Sequence, residues 1–318
     1  MSALLSVRDL HIEAVGLDRC RHSIVSGLSF DVGPGEVVAL VGESGSGKSL
    51  TALSLLQLLP PGVRIGSGSI VLEQQELIGR TERELTSLRG RSIGMVFQEP
   101  MTALNPVFSI GDQIREVLKR HCGMHRAEAE QAALGLLNRV AIPDPIRCLR
   151  AYPHELSGGM RQRVVTAIAV AGAPRLLIAD EPTTALDVGT QALLLDLLTG
   201  FARTDGMGLL LITHDLSLVA EHADRICVMF RGHLCEAGPV SEVLSHPVHP
   251  YTRGLLACTP RLEGTDRTLS TMADSVPDPA REQVVTSGGP QAAWWPDLPG
   301  THRLEPVREG HQVAVRVS

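Results

Sequence analysis

The sequence has no surplus of basic charge: 29 Lys and Arg stand against 35 Asp and Glu, a formal charge of -6. That balance gives no general electrostatic attraction for nucleic acid, so no nucleic-acid partner is expected. Long apolar runs are missing too. Spanning a bilayer takes roughly 18 apolar residues, and the longest candidate, Val164 to Ala173, is short and interrupted by Thr166. The chain is therefore not expected to cross a membrane by itself. Met1 to Asp9 shows no basic segment followed by a long apolar core, so the expectation is no secretory signal and a cytoplasmic location. The six cysteines, at positions 20, 122, 148, 227, 235 and 258, form no C-x-x-C pair. This speaks against a disulfide framework or a zinc knuckle and for reduced thiols. Internal repeats and low-complexity tracts are absent.

What remains is an ordinary globular balance, 43% hydrophobic and 20% charged over 318 residues, which suits a main domain with an insertion or appendage. Short β-prone runs broken by Gly and Pro fill the first part: Leu28 to Val32, a tight turn at Gly33-Pro34-Gly35 between adjacent strands, then Val37 to Val41. From about residue 81 to 170 helical periodicity takes over, in Ile110 to His121, Arg126 to Val140 and Met160 to Val170, and reads as a helical insertion. Afterwards strands (Leu176 to Ala179, Leu209 to Thr213, Ile226 to Phe230) alternate with helices such as Gln191 to Phe201. That alternation implies a largely parallel sheet with helices on both faces. From about Arg261 the chain turns polar and rich in Pro, Gly, Ser and Thr and reads as a loosely ordered appendage. Its apolar landmarks, Trp294 and Trp295, pin it to the body or form a docking point.

The chemistry is carried by a few short segments. Gly42, Glu43, Ser44, Gly45, Ser46, Gly47, Lys48 and Ser49 form a complete G-x-x-x-x-G-K-S phosphate loop after the apolar run Val37 to Val41. Its glycines let backbone N–H groups turn inward around phosphates, Lys48 reaches the terminal pair, and the Ser49 hydroxyl is placed to ligate magnesium. The next residues, Leu50 to Leu58, read as a helix whose positive end faces the anion. Leu176 to Ala179 is an apolar strand ending in Asp180 and Glu181. In such an arrangement the first carboxylate holds magnesium, directly or through water, and the second activates the attacking water. Ser157, Gly158 and Gly159 open another predicted helix and make a second anion-binding end.

At this point the sequence resembles the ATP-binding cassette ATPases, over about residues 4 to 260. Beyond the segments above, the resemblance includes Gln98 after Ile93 to Phe97, matching the glutamine loop. It also includes Ala185-Leu186-Asp187, matching the loop that crosses the dimer seam, and His214 after Leu209 to Thr213, matching the switch histidine. It implies a fold of the α/β class: a P-loop NTPase core with a mostly parallel sheet, an antiparallel β subdomain, a helical insertion at about 81–170 and an irregular C-terminal extension at 261–318. It implies ATP and Mg2+ as cofactors, with Gly42 through Leu50 on the nucleotide and Ser49, Gln98 and Asp180 on the metal. Glu181, His214, Lys48 and Gln98 are then catalytic, and Ser157, Gly158, Gly159 and Asp187 complete a site whose phosphate loop belongs to a partner subunit. Two ATP molecules would lie between two cassettes. Where the family usually stacks an aromatic residue on adenine, Leu10 to Val15 offers only His11; His11 and His22 are candidate substitutes, and both also read as surface histidines. Met160 stands where many members carry Gln.

Gln98 to Pro106 and His246-Pro247-Val248-His249-Pro250-Tyr251-Thr252-Arg253 resemble the oligopeptide, dipeptide and nickel importer branch. That resemblance implies two membrane permease subunits, a second cassette ATPase that is a related chain or a second copy, and an extracytoplasmic solute-binding protein. It places the chain peripherally on the cytoplasmic face of the cell membrane. His246 and His249 read as turn residues, since a metal site needs more ligands. Many members of the branch carry a cysteine cluster near the C-terminus; residues 261–318 hold no cysteine, so bound iron is not expected. A DNA-repair or ribosomal cassette fits less well, because the chain has one phosphate loop and an acidic balance. A non-hydrolysing regulatory subunit fits less well too, because Lys48, Asp180, Glu181 and His214 are all present.

Overall fold

The computed structural model of the chain describes residues 3–16, 20–99, 103–184, 186–258, 282–295 and 301–317. Strands β1 (Leu5–Val15) and β2 (Arg21–Val32) pair antiparallel. After β3 (Val37–Val41), which belongs to another sheet, β4 (Val63–Leu72) and β5 (Gln75–Glu76) join them in the order β2-β1-β4-β5. The expected turn at Gly33-Pro34-Gly35 is there, with Gly35 at φ +71°, but it does not join paired strands. It carries the chain from the antiparallel sheet to the main one.

Among the described residues the main sheet has eight strands, in the order β13 (Thr301–Arg308), β14 (His311–Val317), β10 (His233–Pro239), β9 (Arg225–Phe230), β3, β8 (Gly208–Thr213), β7 (Leu176–Asp180), β6 (Ile93–Val96). Its parallel part comprises β3, β6 (Ile93–Val96), β7 (Leu176–Asp180), β8 (Gly208–Thr213) and β9 (Arg225–Phe230). Every residue of β3, β7 and β8 is buried, as strands covered on both faces must be. One face packs against the antiparallel sheet through Val7, Leu28, Val38, Leu40, Ile178 and Ile212. The other lies in a core with the helices: Val37, Leu177, Ala179 and Leu211 share it with Ile114, Leu137, Val164 and Leu198.

Ten helices are placed among the described residues: α1 (Lys48–Leu55), α2 (Glu82–Leu88), α3 (Ile110–Cys122), α4 (Arg126–Arg139), α5 (Pro145–Arg150), α6 (Gly158–Val170), α7 (Val188–Asp205), α8 (Leu216–His222), α9 (Val240–Ser245) and α10 (Pro250–Ala257). The consecutive helical stretch starts at α3 rather than near residue 81, because β6 interrupts it as the edge of the main sheet, parallel to β7. Four apolar residues are too few to display a period that would mark them as a strand.

The tail departs further from expectation. Its described residues form two hairpins, β11 (Gln283–Thr286) with β12 (Gly289–Ala292) and β13 (Thr301–Arg308) with β14 (His311–Val317). β14 pairs antiparallel with β10 (His233–Pro239), opposing Glu236 to Val313. The described part of the tail is thus not irregular: through β14 it covers an edge that would otherwise present unpaired N–H and C=O groups. Trp294 and Trp295, 3% and 6% exposed, pack with Val284, Val313 and Val315 and pin it to the body. Beneath them the buried Glu236 carboxylate lies 2.7 Å from His311 Nε2 and accepts the N–H groups of Val248 and His249. A buried carboxyl group is tolerable when its oxygens are hydrogen-bonded in this way. None of the six cysteines is in a disulfide, and no helix among the described residues is long and apolar enough to cross a membrane.

Candidate nucleotide and active site

β3 delivers the phosphate loop at its C-terminal end, and β7 and β8 beside it deliver the carboxylates and the histidine. Parallel strands align these ends, which is why residues far apart in sequence meet there. Gly45 and Gly47 take φ of +82° and +99°, and Gly47 caps α1. A side chain on Gly45 would project into open space, so the loop's concave face is clear, whereas a Cβ on Gly47 would stand 2.8 Å from Val25 Cγ2. Lys48 folds back over the loop, donating from Nζ to the carbonyl oxygens of Gly42 and Glu43, both at 2.8 Å, and to Ser46 Oγ at 3.4 Å. Burial pushes its pKa down, against the pull of Glu181, Asp180 and Glu43.

Ser49 Oγ donates to Asp180 Oδ1 at 3.1 Å. Burial raises the Asp180 pKa, Ser49 opposes this, Glu181 adds to it and Lys48 opposes it. Two hard oxygen donors side by side at the mouth of a phosphate loop fit magnesium, which takes oxygen ligands and shares them with substrate phosphates. Glu181 sits at φ +45°, a left-handed conformation that costs a β-carbon residue roughly 1 kcal/mol. Its N–H still donates to Ile212 O at 2.9 Å, so the strand ends here and the side chain turns into the cleft. Glu181 Oε2 accepts from Gln98 Nε2 and from Thr184 Oγ1, each at 3.1 Å, and His214 Nδ1 stands 3.6 Å from Oε1. Gln98, Glu181 and His214 line one cleft of about 560 Å³ with Ser44, Gly45, Gly47, Lys48, Ser49, Leu50 and Ile24.

Ser157, Gly158, Gly159 and Asp187 are not in that lining. Ser157 is exposed and caps α6, accepting from Met160 N at 3.3 Å. Asp187 caps α7, with Oδ1 and Oδ2 taken by Thr190 N and Oγ1 at 3.0 and 2.8 Å. A Cβ on Gly159 would come within 2.8 Å of Thr190 Cγ2, so the two caps adjoin and form one surface. Ala185, in the expected seam loop, and Pro100 to Thr102, after the glutamine loop, lie outside the described residues.

A family model described as "ABC transporter" matches residues 25–184. The chain belongs to the ABC transporter family. As a member it is an ATP-binding cassette with ATPase chemistry, in accord with the motif resemblance. A second model, "Oligopeptide/dipeptide transporter, C-terminal region", matches residues 235–287. The peptidoglycan transport ATP-binding protein YejF of Agrobacterium fabrum is 48% identical over 301 residues, which is 94% of this chain and 53% of that protein. The chain thus spans about half the length of this relative. The dipeptide transport ATP-binding protein DppD of Bacillus subtilis is 44% identical over 279 residues, 87% of this chain and 83% of the relative. Among solved structures, the dimeric post-hydrolysis state of the cassette MJ0796 bound to ADP and Pi has 25% identity and a TM-score of 0.66, covering 74% of this chain and 98% of that one.

Sequence reasoning passed over three residues of the cassette. Thr184 lies three residues after Glu181 and gave no signal apart from that spacing. Ile24 is the β2 residue that reaches the cleft, whereas neither His11 nor His22 lines it; His11 instead lies 3.1 Å from Asp9. The third, Tyr251, was visible only as a letter of a family motif. His249 is a turn residue, as expected: its Nδ1 accepts from Tyr251 N at 3.1 Å at the start of α10.

Proposed function

We propose that the chain is the ATP-hydrolysing subunit of an importer for peptides or a related small solute. The observation that carries this reading is the division of the site. Ser44, Gly45, Gly47, Lys48 and Ser49 of the phosphate loop share one cleft with Gln98, Glu181 and His214, and Asp180 reaches it through its bond to Ser49, while the Ser157 helix start and Asp187 form a separate exposed surface. Each subunit then offers a receptor for nucleotide and a lid for its partner's, and ATP between them holds the two together.

In this reading the loop amides and Lys48 hold the β- and γ-phosphates. Ser49, Asp180 and the Gln98 carbonyl oxygen would hold magnesium, which when bound supplies positive charge against the phosphate oxygens. Glu181 Oε1 takes the proton of the attacking water as the water oxygen adds in line to the γ-phosphorus and the bond from that phosphorus to the bridging β-phosphate oxygen breaks, with ADP as the leaving group. Thr184 and Gln98 fix the other carboxylate oxygen, and His214 contacts the transferred group. Ser157, Gly158 and Gly159 of the partner cassette present the N-terminal end of α6 to the same phosphate.

The cargo follows from the C-terminal match and from relatives bearing peptide and dipeptide transport names. The partners are two permease subunits, a second cassette ATPase and an extracytoplasmic solute-binding protein, with this chain on the cytoplasmic face of the membrane. Val107 and Phe108, exposed just after the glutamine loop, support a permease contact there. The test is to tag the chain, solubilise native membranes gently and identify what copurifies. Two polytopic subunits and a second cassette are expected; recovery only with ribosomes or nucleic acid would overturn the transport reading.

A further inference from the structure

The phosphate loop is braced by one side chain from far along the sequence. The Glu43 N–H donates to Tyr251 Oη at 3.1 Å across 208 positions. Tyr251 is fully buried on α10, inside the segment that matches the oligopeptide/dipeptide C-terminal region. Its ring stacks on Phe230, with centroids 4.2 Å apart, and Phe230 meets Trp295 edge-on at 6.0 Å. Its backbone is held as well, by His249 Nδ1, while His249 Nε2 lies 2.9 Å from the Trp294 carbonyl. An Nδ1 that accepts leaves Nε2 as the donor, so one neutral tautomer satisfies both bonds.

The loop rests on the same ground. Gly232 N donates to Ser46 O at 3.1 Å, and a Cβ on Gly42 would lie 2.1 Å from Met229 O. Met229 and Phe230 end β9, Gly232 lies in the turn to β10, and Tyr251 stacks on Phe230. The aromatic cluster that α10 and β9 share with the tail therefore ends in a hydroxyl that fixes a loop amide, at a point where that amide would otherwise be part-buried and unmatched.

We propose that Tyr251 is a positioning residue of the nucleotide site: its phenolic oxygen fixes the Glu43 amide and the curvature of the phosphate loop, so that the region beyond β10 sets nucleotide affinity. The inference rests on residues 42–49 binding nucleotide.

The test is Tyr251→Phe in the full chain, which removes one oxygen and keeps the stacked ring. Equilibrium binding of a fluorescent ATP analogue with magnesium should weaken about 3- to 10-fold, the worth of one net hydrogen bond. In the assembled transporter the KM for ATP should rise with kcat at saturation unchanged. Amide exchange at residues 42–48 without nucleotide should quicken. Val284→Ala is the comparison variant: it opens the same tail cluster at a 1% exposed residue away from the loop. It should lower the melting temperature and leave affinity within twofold. Parent-like affinity in Tyr251→Phe overturns the proposal, as does equal weakening by Val284→Ala, since that would make the effect general loosening. If the parent chain itself binds no ATP analogue, the reading of residues 42–49 fails and this proposal fails with it.

Discussion

The phosphate loop and the α6 start are made of similar residues, glycines and serines ahead of a helix, yet the fold treats them in opposite ways. The first is pressed from behind: Ser46 and Lys48 are 3% and 5% exposed, and Met229, Val25 and Tyr251 stand against the loop. The second is open: Ser157 and Gly158 are exposed, and a Cβ on Gly158 would meet nothing within 4 Å. A helix N-terminus attracts an anion in either setting, but only the first lies in the cleft that Lys48, Gln98 and Glu181 line. One element is thus enclosed on its inner side and the other an open surface, which under the proposed function meets the nucleotide of a second cassette.

Glu181→Gln tests the receptor side with the largest expected effect, a turnover loss of about 100-fold or more with ATP binding retained, as general-base removal gives. Phosphate release and nucleotide binding measured on one preparation decide it, and normal turnover would refute the role. Lys48→Ala removes the charge that crosses the loop mouth. Nucleotide affinity should fall about 10- to 100-fold, and unchanged affinity would count against the site. The contrast itself is sharpened by paired glycine substitutions. Gly42→Ala forces a Cβ toward Met229 O and should cost about 1–3 kcal/mol of stability, read by thermal melting. Gly158→Ala should leave the melting temperature alone and instead weaken ATP-dependent association about tenfold, read by analytical ultracentrifugation. Equal behaviour of the two variants would erase the comparison.

A separate effect, on stability rather than on nucleotide handling, concerns pH and the support under the loop. Burial pushes the His249 pKa down to about 4, with the Trp294 carbonyl and Glu236 opposing and Arg253 assisting. Between the ordinary histidine value near 6.5 and about 4, the unfolded chain binds more protons than the folded one. Stability should therefore be full above pH 6.5 and fall as the pH drops toward 4, by on the order of 1 kcal/mol per pH unit. Urea melts followed by fluorescence of the buried Trp294 and Trp295 would show it; a flat profile over that window would contradict the buried neutral imidazole.

Much of the site was legible because its segments announce themselves locally. Gly42 to Ser49, Asp180-Glu181 and Ser157 to Gly159 each pair a turn or strand end with a chemical group, and β3, β7 and β8 appear where their apolar runs place them. Other features left no local trace. β6 is a four-residue strand within a helical stretch, and its partner β7 lies some eighty residues on. β14 hides in a polar, proline-rich tail because its inward side chains His311, Val313 and Val315 gain meaning only against β10. Thr184 and Tyr251 act through single oxygen atoms, which no periodicity records.

By itself, then, the sequence determined the chemical parts and the elements that carry them, since loop dihedrals, capping and apolar periods are properties of a few neighbouring residues. Tertiary structure alone decided which parts face one another. It left Asp187 and Ser157 outside the cleft, brought Gln98 onto the oxygen of Glu181 that Thr184 also holds, and set the α10 tyrosine behind the phosphate loop. Gln98 with Glu181 and Tyr251 with Glu43 are meetings across many tens of residues, fixed by how buried surfaces fit together, and shape complementarity of that kind has no local code.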